Sequence, residues 1–150
     1  MEEISVICRN EDETVAFAQK LSQIAKVGDT FALFGTLGMG KSVFARGFVQ
    51  SLTAAEEVPS PTFTLVQSYE APDFEIYHFD LYRLKAPEEI FELGMEEALY
   101  GGVCLIEWPE KMAGWLPENC FKLTITPDAF GRRITISSAS AEKLSRLRKL

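Results

Sequence analysis

The chain has 150 residues, which is the length of one globular domain. Hydrophobic residues make up 47% and charged residues 25%, proportions that exclude a disordered or fibrous protein. The formal net charge of −7 excludes a protein that binds nucleic acid through its overall charge, so affinity for nucleic acid would need a local patch or a partner.

Hydrophobic periodicity predicts strands that alternate with helices from the start of the chain. An apolar strand at residues 4–8 is followed by a helix whose first turn holds the acids at residues 11–13, where the helix dipole favours them. A second strand at residues 30–34 leads into a glycine-rich turn, and a second helix spans residues 41–52. Residues 53–61 contain two prolines and are predicted to form a loop.

The middle of the chain predicts a hairpin, a helix and a buried strand. Residues 63–69 and 74–84 are rich in β-forming residues and are separated by a turn that contains proline. Pro87 is predicted to begin a helix that ends at the glycine pair 101–102. Residues 103–106 are all apolar, which is typical of a strand covered on both faces.

The last third of the chain predicts a second hairpin and a final helix. Its strands are residues 121–126 and 133–136. One of the serines at positions 137, 138 and 140 is expected to cap the helix. On that helix we expect Leu144 and Leu147 to dock, with three basic residues facing solvent: Lys143, Arg146 and Lys149.

The strongest functional signal is the sequence GTLGMGKS at residues 35–42, which matches the phosphate-binding pattern GxxxxGK[ST]. A predicted strand precedes it and a predicted helix begins within it, so backbone N–H groups would point at a polyphosphate. Lys41 would reach the β- and γ-phosphates, and the Ser42 hydroxyl would bind Mg²⁺. The alternative is a structural glycine-rich turn. The predicted nucleotide-binding residues are Gly35, Thr36, Leu37, Gly38, Met39, Gly40, Lys41, Ser42 and Val43.

This motif and the alternation of elements define the expected fold. We predict a single domain over residues 1–150 of the α/β class, a three-layer sandwich like that of P-loop NTPases. The central sheet is expected to be mostly parallel, because strands alternate with helices in the first two thirds of the chain. The hairpins would add antiparallel strands at its flanks.

Two acids end predicted strands and are candidates for magnesium chemistry. Asp80 follows the β-rich residues 76–79, and Glu107 follows the apolar residues 103–106. In a parallel sheet both carboxylates would emerge beside the phosphate loop. Because Mg²⁺ prefers oxygen ligands, Ser42, Asp80 and Glu107 are the candidate metal ligands. Their spacing leaves open which acid contacts the metal and which positions water.

Three further residues have both a functional and a structural interpretation. Thr62 precedes a predicted strand, and its hydroxyl could sense the γ-phosphate or the metal as switch loops do, or belong to an ordinary turn. Trp108 could cover the site, anchor a partner or pack in the core. We interpret His78 as a structural histidine rather than a catalytic one.

Neither a membrane span nor a disulfide framework is predicted. No apolar run approaches the roughly 18 residues of a membrane helix, and the amino terminus lacks the features of a signal peptide, so we expect a cytoplasmic protein with no membrane partner. Cys8, Cys104 and Cys120 form neither a CxxC pair nor an even set, and we interpret them as structural. A single histidine is too few for a His-rich zinc site.

Four segments together resemble the TsaE (YjeE) family of bacterial P-loop ATPases, which support threonylcarbamoylation of adenosine in transfer RNA. They are residues 35–42, 60–66 (SPTFTLV), 78–84 (HFDLYRL) and 105–110 (LIEWPE), in the family's order. The resemblance runs from about residue 30 to residue 110. Ser42 stands where many members have threonine, and the hydroxyl is kept.

The resemblance implies ATP/ADP and Mg²⁺ as cofactors, with Lys41 and Ser42 holding ATP–Mg²⁺ and Thr62 in a switch-like loop. It implies that Asp80 is the metal-associated acid and that Glu107, with Trp108, is needed for hydrolysis. The implied partners are the TsaD and TsaB proteins, and transfer RNA is contacted only through their complex.

We therefore expect a Mg²⁺-dependent ATPase that acts with partners. Only Arg46 and Arg83 lie between the phosphate loop and residue 131, so an arginine finger in cis is not assured and turnover by the isolated protein would be slow. A small-molecule kinase is the main alternative, although the chain has no arginine-rich lid. A nucleotide-switched binding module is a third possibility. Adenine is favoured because the chain has no Asn-Lys-x-Asp guanine signature.

A basic cluster near the end of the chain has two interpretations. It could contact transfer RNA phosphates in an assembled complex, or it could be a solvated helix face whose cations suit the helix dipole. Its members are Arg132, Arg133, Lys143, Arg146, Arg148 and Lys149.

Overall fold

The computed structural model describes residues 3–36 and 38–150, which form seven strands and four α-helices. In chain order these are β1 Glu3–Cys8, α1 Glu11–Ser22, β2 Thr30–Phe34, α2 Lys41–Leu52, β3 Val66–Glu70, β4 Glu75–Asp80, α3 Met95–Gly101, β5 Val103–Glu107, β6 Phe121–Asp128, β7 Gly131–Ser137 and α4 Ala141–Leu147. Two 3₁₀ segments, Pro87–Leu93 and Pro109–Trp115, lie before α3 and after β5. Within this part of the chain, no helix combines the length and the apolar character needed to cross a membrane.

All seven strands join one sheet in the order β1-β7-β6-β2-β5-β4-β3. The three central pairings, from β6 to β4, are parallel, and the outer pairings are antiparallel. The predicted sheet, parallel at its centre with antiparallel flanks, is confirmed. Its register places Leu33 opposite Glu107 and Glu107 opposite Asp80, so the carboxyl ends of β2, β5 and β4 meet at one edge.

Two hydrophobic clusters on opposite faces of the sheet give the molecule its three layers. Side chains of a strand alternate between faces. Val103 and Leu105 therefore belong to the larger cluster, with residues of α1, α2 and α4, whereas Cys104 and Ile106 belong to the smaller one, with α3 and the 3₁₀ segments. The Phe31 ring stacks on that of Phe121, with centroids 4.6 Å apart. The predicted three-layer sandwich is confirmed.

Side chains cap the first turns of two helices, α1 and α4. The Asn10 side chain accepts the N–H of Glu13 at 2.9 Å, and an acidic first turn follows, as the sequence predicts. Of the three candidate serines, Ser140 caps α4 by accepting the N–H of Lys143 at 3.2 Å. Both predicted hairpins are present, β3–β4 and β6–β7.

The prediction of one continuous helix from Pro87 to the glycine pair is wrong. Gly94 adopts a left-handed conformation with φ of 75°, which divides this stretch into a 3₁₀ segment and α3. The strand predicted at residues 63–69 begins only at Val66. Leu65 just before it has a φ of 69°, which a strand residue does not adopt.

The three cysteines are buried and form no disulfide, in agreement with their structural interpretation. Burial raises the pKa of the Cys104 thiol to about 12. Since the thiolate is the reactive form, this side chain behaves as a small apolar residue of the core.

The prediction that Arg146 and Lys143 face solvent is wrong. Arg146 is buried, and its guanidinium donates to both carboxylate oxygens of Asp29 at 2.6 and 2.9 Å and to Glu142 at 2.6 Å. The Lys143 side chain is only 12% exposed, with its ammonium 3.9 Å from Asp29. The cause is Asp29, a buried acid in the loop before β2 that draws these cations inward. The predicted basic cluster therefore loses Arg146 as an exposed contact.

Candidate functional site

The phosphate-loop motif lies where β2 ends and α2 begins, in the predicted strand–turn–helix context. Gly38 and Gly40 have φ angles of 83° and 101°, a left-handed conformation that favours glycine. A Cβ atom added at either position would meet no heavy atom within 4 Å, so the space in front of the loop is open. Leu37, one of the predicted nucleotide-binding residues, lies outside the described residues.

Lys41, the first residue of α2, is buried against this loop. Its ammonium donates to the Gly35 carbonyl at 2.7 Å and lies 3.7 Å from the centroid of the Trp108 ring. Burial lowers the pKa of Lys41, and the nearby carboxylates, Glu107 first, counteract this effect. The Gly35 carbonyl and the Trp108 ring together fix the position of the Lys41 ammonium.

Glu107, at the end of β5, is buried and has a partner at each carboxylate oxygen. The Ser42 hydroxyl donates to Oε1 at 3.4 Å, and Nε2 of His78 lies 2.6 Å from Oε2. A carboxylate is only an acceptor, so the imidazole donates in this second contact. Nδ1 of His78 is buried without a hydrogen-bond partner among the described residues.

His78 is therefore a site residue that the structural interpretation did not foresee. The sequence contained one usable signal: His78 and Asp80 are two residues apart on β4 and share a face of the sheet. Because β4 and β5 are in register, that face also carries Glu107. The imidazole holds one oxygen of Glu107 and leaves the other toward Ser42.

Asp80, at the end of β4, connects the strand to the loop that precedes β3. Its Oδ2 atom accepts the hydroxyls of Ser60 and Thr62, each at 3.2 Å, and its Oδ1 atom accepts the N–H of Tyr82 at 3.1 Å. The structure thus brings Thr62 to Asp80, and it adds Ser60, which was not among the predicted site residues. Three donors fix both oxygens of a buried carboxylate.

Trp108 follows Glu107 in a left-handed backbone conformation, with φ of 58° and ψ of 49°. For a residue other than glycine this conformation costs on the order of 1 kcal/mol, and such strain is concentrated at functional sites. The ring packs against the smaller hydrophobic cluster, lies 4.9 Å from Tyr82 and covers Lys41. Trp108 therefore packs against the smaller hydrophobic cluster and also covers the predicted site.

A cleft of about 400 Å³ unites these groups. It is lined by Glu11, Gly38, Gly40, Lys41, Ser42, Val43, Ser60, Thr62, Asp80, Tyr82, Arg83, Glu107 and Trp108. All the predicted catalytic and metal-binding residues are therefore adjacent to one space. Of the predicted nucleotide-binding residues that the structure describes, Gly35, Thr36 and Met39 do not line it, although the Gly35 carbonyl orients Lys41.

A second cleft of about 220 Å³ adjoins the first and shares residues of the phosphate loop and Glu11 with it. Met39 lines this second cleft, as do Asn10 and Arg132, whose guanidinium donates to the Gly38 carbonyl at 3.4 Å. The sequence did not single out Asn10 or Arg132 for the site. They meet here because β1 pairs with β7, which no local pattern predicts.

Comparison with known proteins identifies a matching family model and several similar proteins. A family model described as "Threonylcarbamoyl adenosine biosynthesis protein TsaE" matches residues 8–134. Proteins named tRNA threonylcarbamoyladenosine biosynthesis protein TsaE are similar to this chain. That of Rickettsia felis is 49% identical over 70% of this chain and 62% of its own length, so the chain spans less than two thirds of it. That of Treponema pallidum is 36% identical over 87% of this chain and 98% of its own length.

A solved structure is also similar over nearly the whole chain. The crystal structure of Bacillus subtilis YdiB superposes with a TM-score of 0.83 at 29% sequence identity. The match covers 99% of this chain and 93% of YdiB.

Proposed function

Because this chain belongs to the TsaE family, we propose that it binds ATP with Mg²⁺ and hydrolyses it in support of threonylcarbamoyladenosine formation in transfer RNA. The single observation that supports the proposal is the first of the two clefts described above, called the main cleft from here on. It gathers the Lys41 ammonium, the Ser42 hydroxyl and the carboxylates of Asp80 and Glu107 around one space of about 400 Å³. The names of the relatives supply the link to transfer RNA modification.

The loop fits a polyphosphate. Gly38 and Gly40 leave open space in front of the backbone, and α2 begins directly behind it. The amino terminus of a helix carries partial positive charge and free N–H groups, which suit phosphate oxygens. Lys41 adds a full charge at the same place.

The oxygen groups of the cleft fit magnesium. Among the described residues, no three His, Cys, Asp or Glu side chains gather as a metal site by themselves. This suits Mg²⁺, which usually keeps several waters and takes substrate phosphates with one or two carboxylates. Ser42 and Asp80 would hold it, with Glu107 as the second candidate acid. When bound, Mg²⁺ neutralises phosphate charge and orients the phosphates.

Hydrolysis requires a water molecule in line with the γ-phosphate. Glu107 is suited to orient it, because His78 fixes one carboxylate oxygen and the other faces Ser42 at the cleft. Lys41 and the loop N–H groups stabilise the charge that develops on the phosphoryl oxygens. Trp108 covers Lys41 and restricts the access of bulk water to it.

The second cleft is suited to the nucleoside part of ATP. It continues from the first at Gly38, Gly40 and Val43, so a nucleotide with its phosphates on the loop would extend toward Asn10 and Arg132. Cleft volumes of about 400 and 220 Å³ accommodate a molecule of this size when they are continuous.

We include TsaD and TsaB as partners in this proposal, with transfer RNA reached only through their complex. The charge distribution supports an indirect contact with RNA. The net charge is −7, Arg146 and Lys143 are turned toward Asp29, and Arg133 donates to Asp128 at 3.1 Å. Three of the six members of the basic cluster therefore have an acid beside them, which weakens the cluster as a phosphate-binding surface.

The experiment that tests the proposal measures ATP hydrolysis by the purified protein, alone and with purified TsaD and TsaB. We expect slow turnover alone and faster turnover with the partners, because a partner that covers the cleft would order its residues and exclude bulk water. Chelation of Mg²⁺ should abolish turnover, and GTP should be a poor substitute for ATP. Absence of ATP binding, or turnover that persists without a divalent metal, would contradict the proposal.

Replacement of Thr62 by valine tests the connection between the loop and Asp80. The variant loses the hydroxyl that donates to Oδ2 at 3.2 Å, so the carboxylate is less firmly oriented. We expect the Mg²⁺ concentration for half-maximal turnover to rise about 10-fold, the lower end of the effect of removing a partner of a metal ligand.

Thr64→Val is the matched control for this change. Thr64 is exposed in the same loop, and its hydroxyl accepts from Gln67 at 3.2 Å rather than donating to Asp80. A Mg²⁺ titration of turnover compares the two variants. An equal Mg²⁺ requirement in both would exclude the proposed role of Thr62.

A further inference from the structure

Two side chains with a full positive charge line the main cleft, Lys41 and Arg83. Lys41 is buried and donates to the Gly35 carbonyl. Arg83 is exposed, and within residues 3–36 and 38–150 it forms no ion pair with a carboxylate. The cleft thus contains an arginine whose charge is not neutralised by a neighbouring acid.

The guanidinium of Arg83 lies over an aromatic ring. Its guanidinium carbon lies 4.6 Å from the centroid of the Phe63 ring, and Phe63 is 83% exposed. Such a ring attracts a cation, although weakly at an exposed site. The contact holds the guanidinium at the rim of the cleft without neutralising it.

The residues that precede Phe63 and Arg83 in the chain both donate hydrogen bonds to Asp80. Phe63 follows Thr62, whose hydroxyl donates to one oxygen of Asp80, and Arg83 follows Tyr82, whose N–H donates to the other. The proposed metal-associated carboxylate thus fixes where Phe63 and Arg83 meet.

Phosphoryl transfer needs a positive group beside the negatively charged oxygens of the transferred phosphoryl. An arginine in cis or from a partner commonly supplies this group. A guanidinium is suited to this because its planar set of five donors matches phosphate oxygens. We propose that Arg83 is a catalytic residue that acts in cis on the γ-phosphoryl group. This inference rests on the proposed function and deepens it.

In the reaction, the water oxygen bonds to the γ-phosphorus while the bond from that phosphorus to the β–γ bridging oxygen breaks. The products are ADP and inorganic phosphate, and one proton passes to solvent. Arg83 leaves the Phe63 ring and donates to the equatorial oxygens of the group in transfer. Its charge matters most at that stage, so it stabilises the transition state more than bound ATP.

The other arginines near the loop are less suited to this role. Arg9 and Arg132 line the second cleft and not the main one, and the Arg132 guanidinium donates to the Gly38 carbonyl. Arg46 lies on α2 and lines neither of these two clefts. The sequence left the presence of an arginine in cis open, and the geometry selects Arg83.

The test compares Arg83→Ala and Arg83→Lys with the control Lys85→Ala. Lys85 is an exposed cation two residues further on that lines neither cleft, so its loss changes the net charge equally. Two quantities are measured: kcat in the presence of TsaD and TsaB, and the affinity for Mg²⁺–ADP with and without aluminium fluoride. The fluoride complex imitates the phosphoryl group in transfer.

We expect Arg83→Ala to lower kcat about 10³-fold, the lower end of the effect of such arginines. Its affinity for Mg²⁺–ADP should equal that of the wild type, but aluminium fluoride should no longer tighten binding. Arg83→Lys should also stay slow, because an ammonium lacks the planar donor set. Lys85→Ala should behave as the wild type.

Three results would overturn the inference while the proposed function stands. These are a kcat of Arg83→Ala equal to that of Lys85→Ala, a parallel loss of Mg²⁺–ADP affinity, and a loss of TsaD or TsaB binding by the variant. A wild-type protein that hydrolyses no ATP under any of these conditions would instead overturn the proposed function, and this inference with it.

Discussion

Replacement of Glu107 by glutamine is expected to lower ATP turnover by a factor of about 10² to 10⁴, the usual contribution of a positioned acid or base. The amide keeps the size of the side chain and can still accept from His78, which lies 2.6 Å away. It loses the negative charge that orients the attacking water. The measurement is kcat with TsaD and TsaB present, together with the Kd of ATP, which should change much less.

Two other variants make this result specific. Glu118→Gln removes an exposed acid in the segment before β6 that lines neither cleft, and it should leave kcat unchanged. Lys41→Ala should instead weaken ATP binding itself, because it removes the cation of the phosphate loop. If Glu107→Gln and Glu118→Gln had the same kcat, Glu107 would have no part in the chemical step.

Replacement of Asp29 by alanine is expected to lower the free energy of unfolding by about 3–5 kcal/mol. Asp29 accepts two hydrogen bonds from the buried guanidinium of Arg146, and these bonds raise the pKa of Arg146. Without Asp29 that charge stays buried, and among the described residues Glu142 is its one remaining ionic partner. Urea unfolding of the variant and the wild type measures the difference.

A double variant separates the cost of an unpaired charge from that of a lost contact. Asp29→Ala combined with Arg146→Met removes both charges and should recover most of the stability, because an apolar replacement of a buried pair is often neutral. Lys26→Ala is the surface control, since Lys26 lies 4.0 Å from Glu142 in an exposed pair. A loss of stability in Asp29→Ala no larger than in Lys26→Ala would contradict the expected role of the buried pair.

The parts of the site that follow from local sequence patterns were predictable. The motif at residues 35–42 lies between β2 and α2 because its glycines permit the turn and its flanks have the periods of a strand and a helix. Asp80 and Glu107 are opposite each other because both end strands of a parallel pair. The carboxyl ends of neighbouring parallel strands lie at the same edge of a sheet. Two acids that are far apart in the sequence therefore become neighbours in space.

The remaining parts depend on contacts between residues far apart in the chain. Arg146 and Asp29 are separated by 117 positions, and no helical period distinguishes a basic residue that faces solvent from one drawn inward by a buried acid. The contact of His78 with Glu107 depends on the register of two strands, which a hydrophobic pattern does not fix in advance. The break at Gly94 depends on a backbone angle, and the apolar period continues through it.

The strand order also has a consequence for how the protein is made. The first strand, β1, pairs in the sheet only with β7, and β7 lies between it and β6. On the ribosome β1 emerges before the other six strands of this sheet, and its hydrogen-bonding partner β7 is the last of the seven to be synthesised. Such pairing between distant segments slows folding and leaves a strand edge open in the meantime. The nascent chain therefore carries an unmatched β1 until residues 131–137 have left the exit tunnel, and during that interval it is open to chaperones and to wrong strand partners.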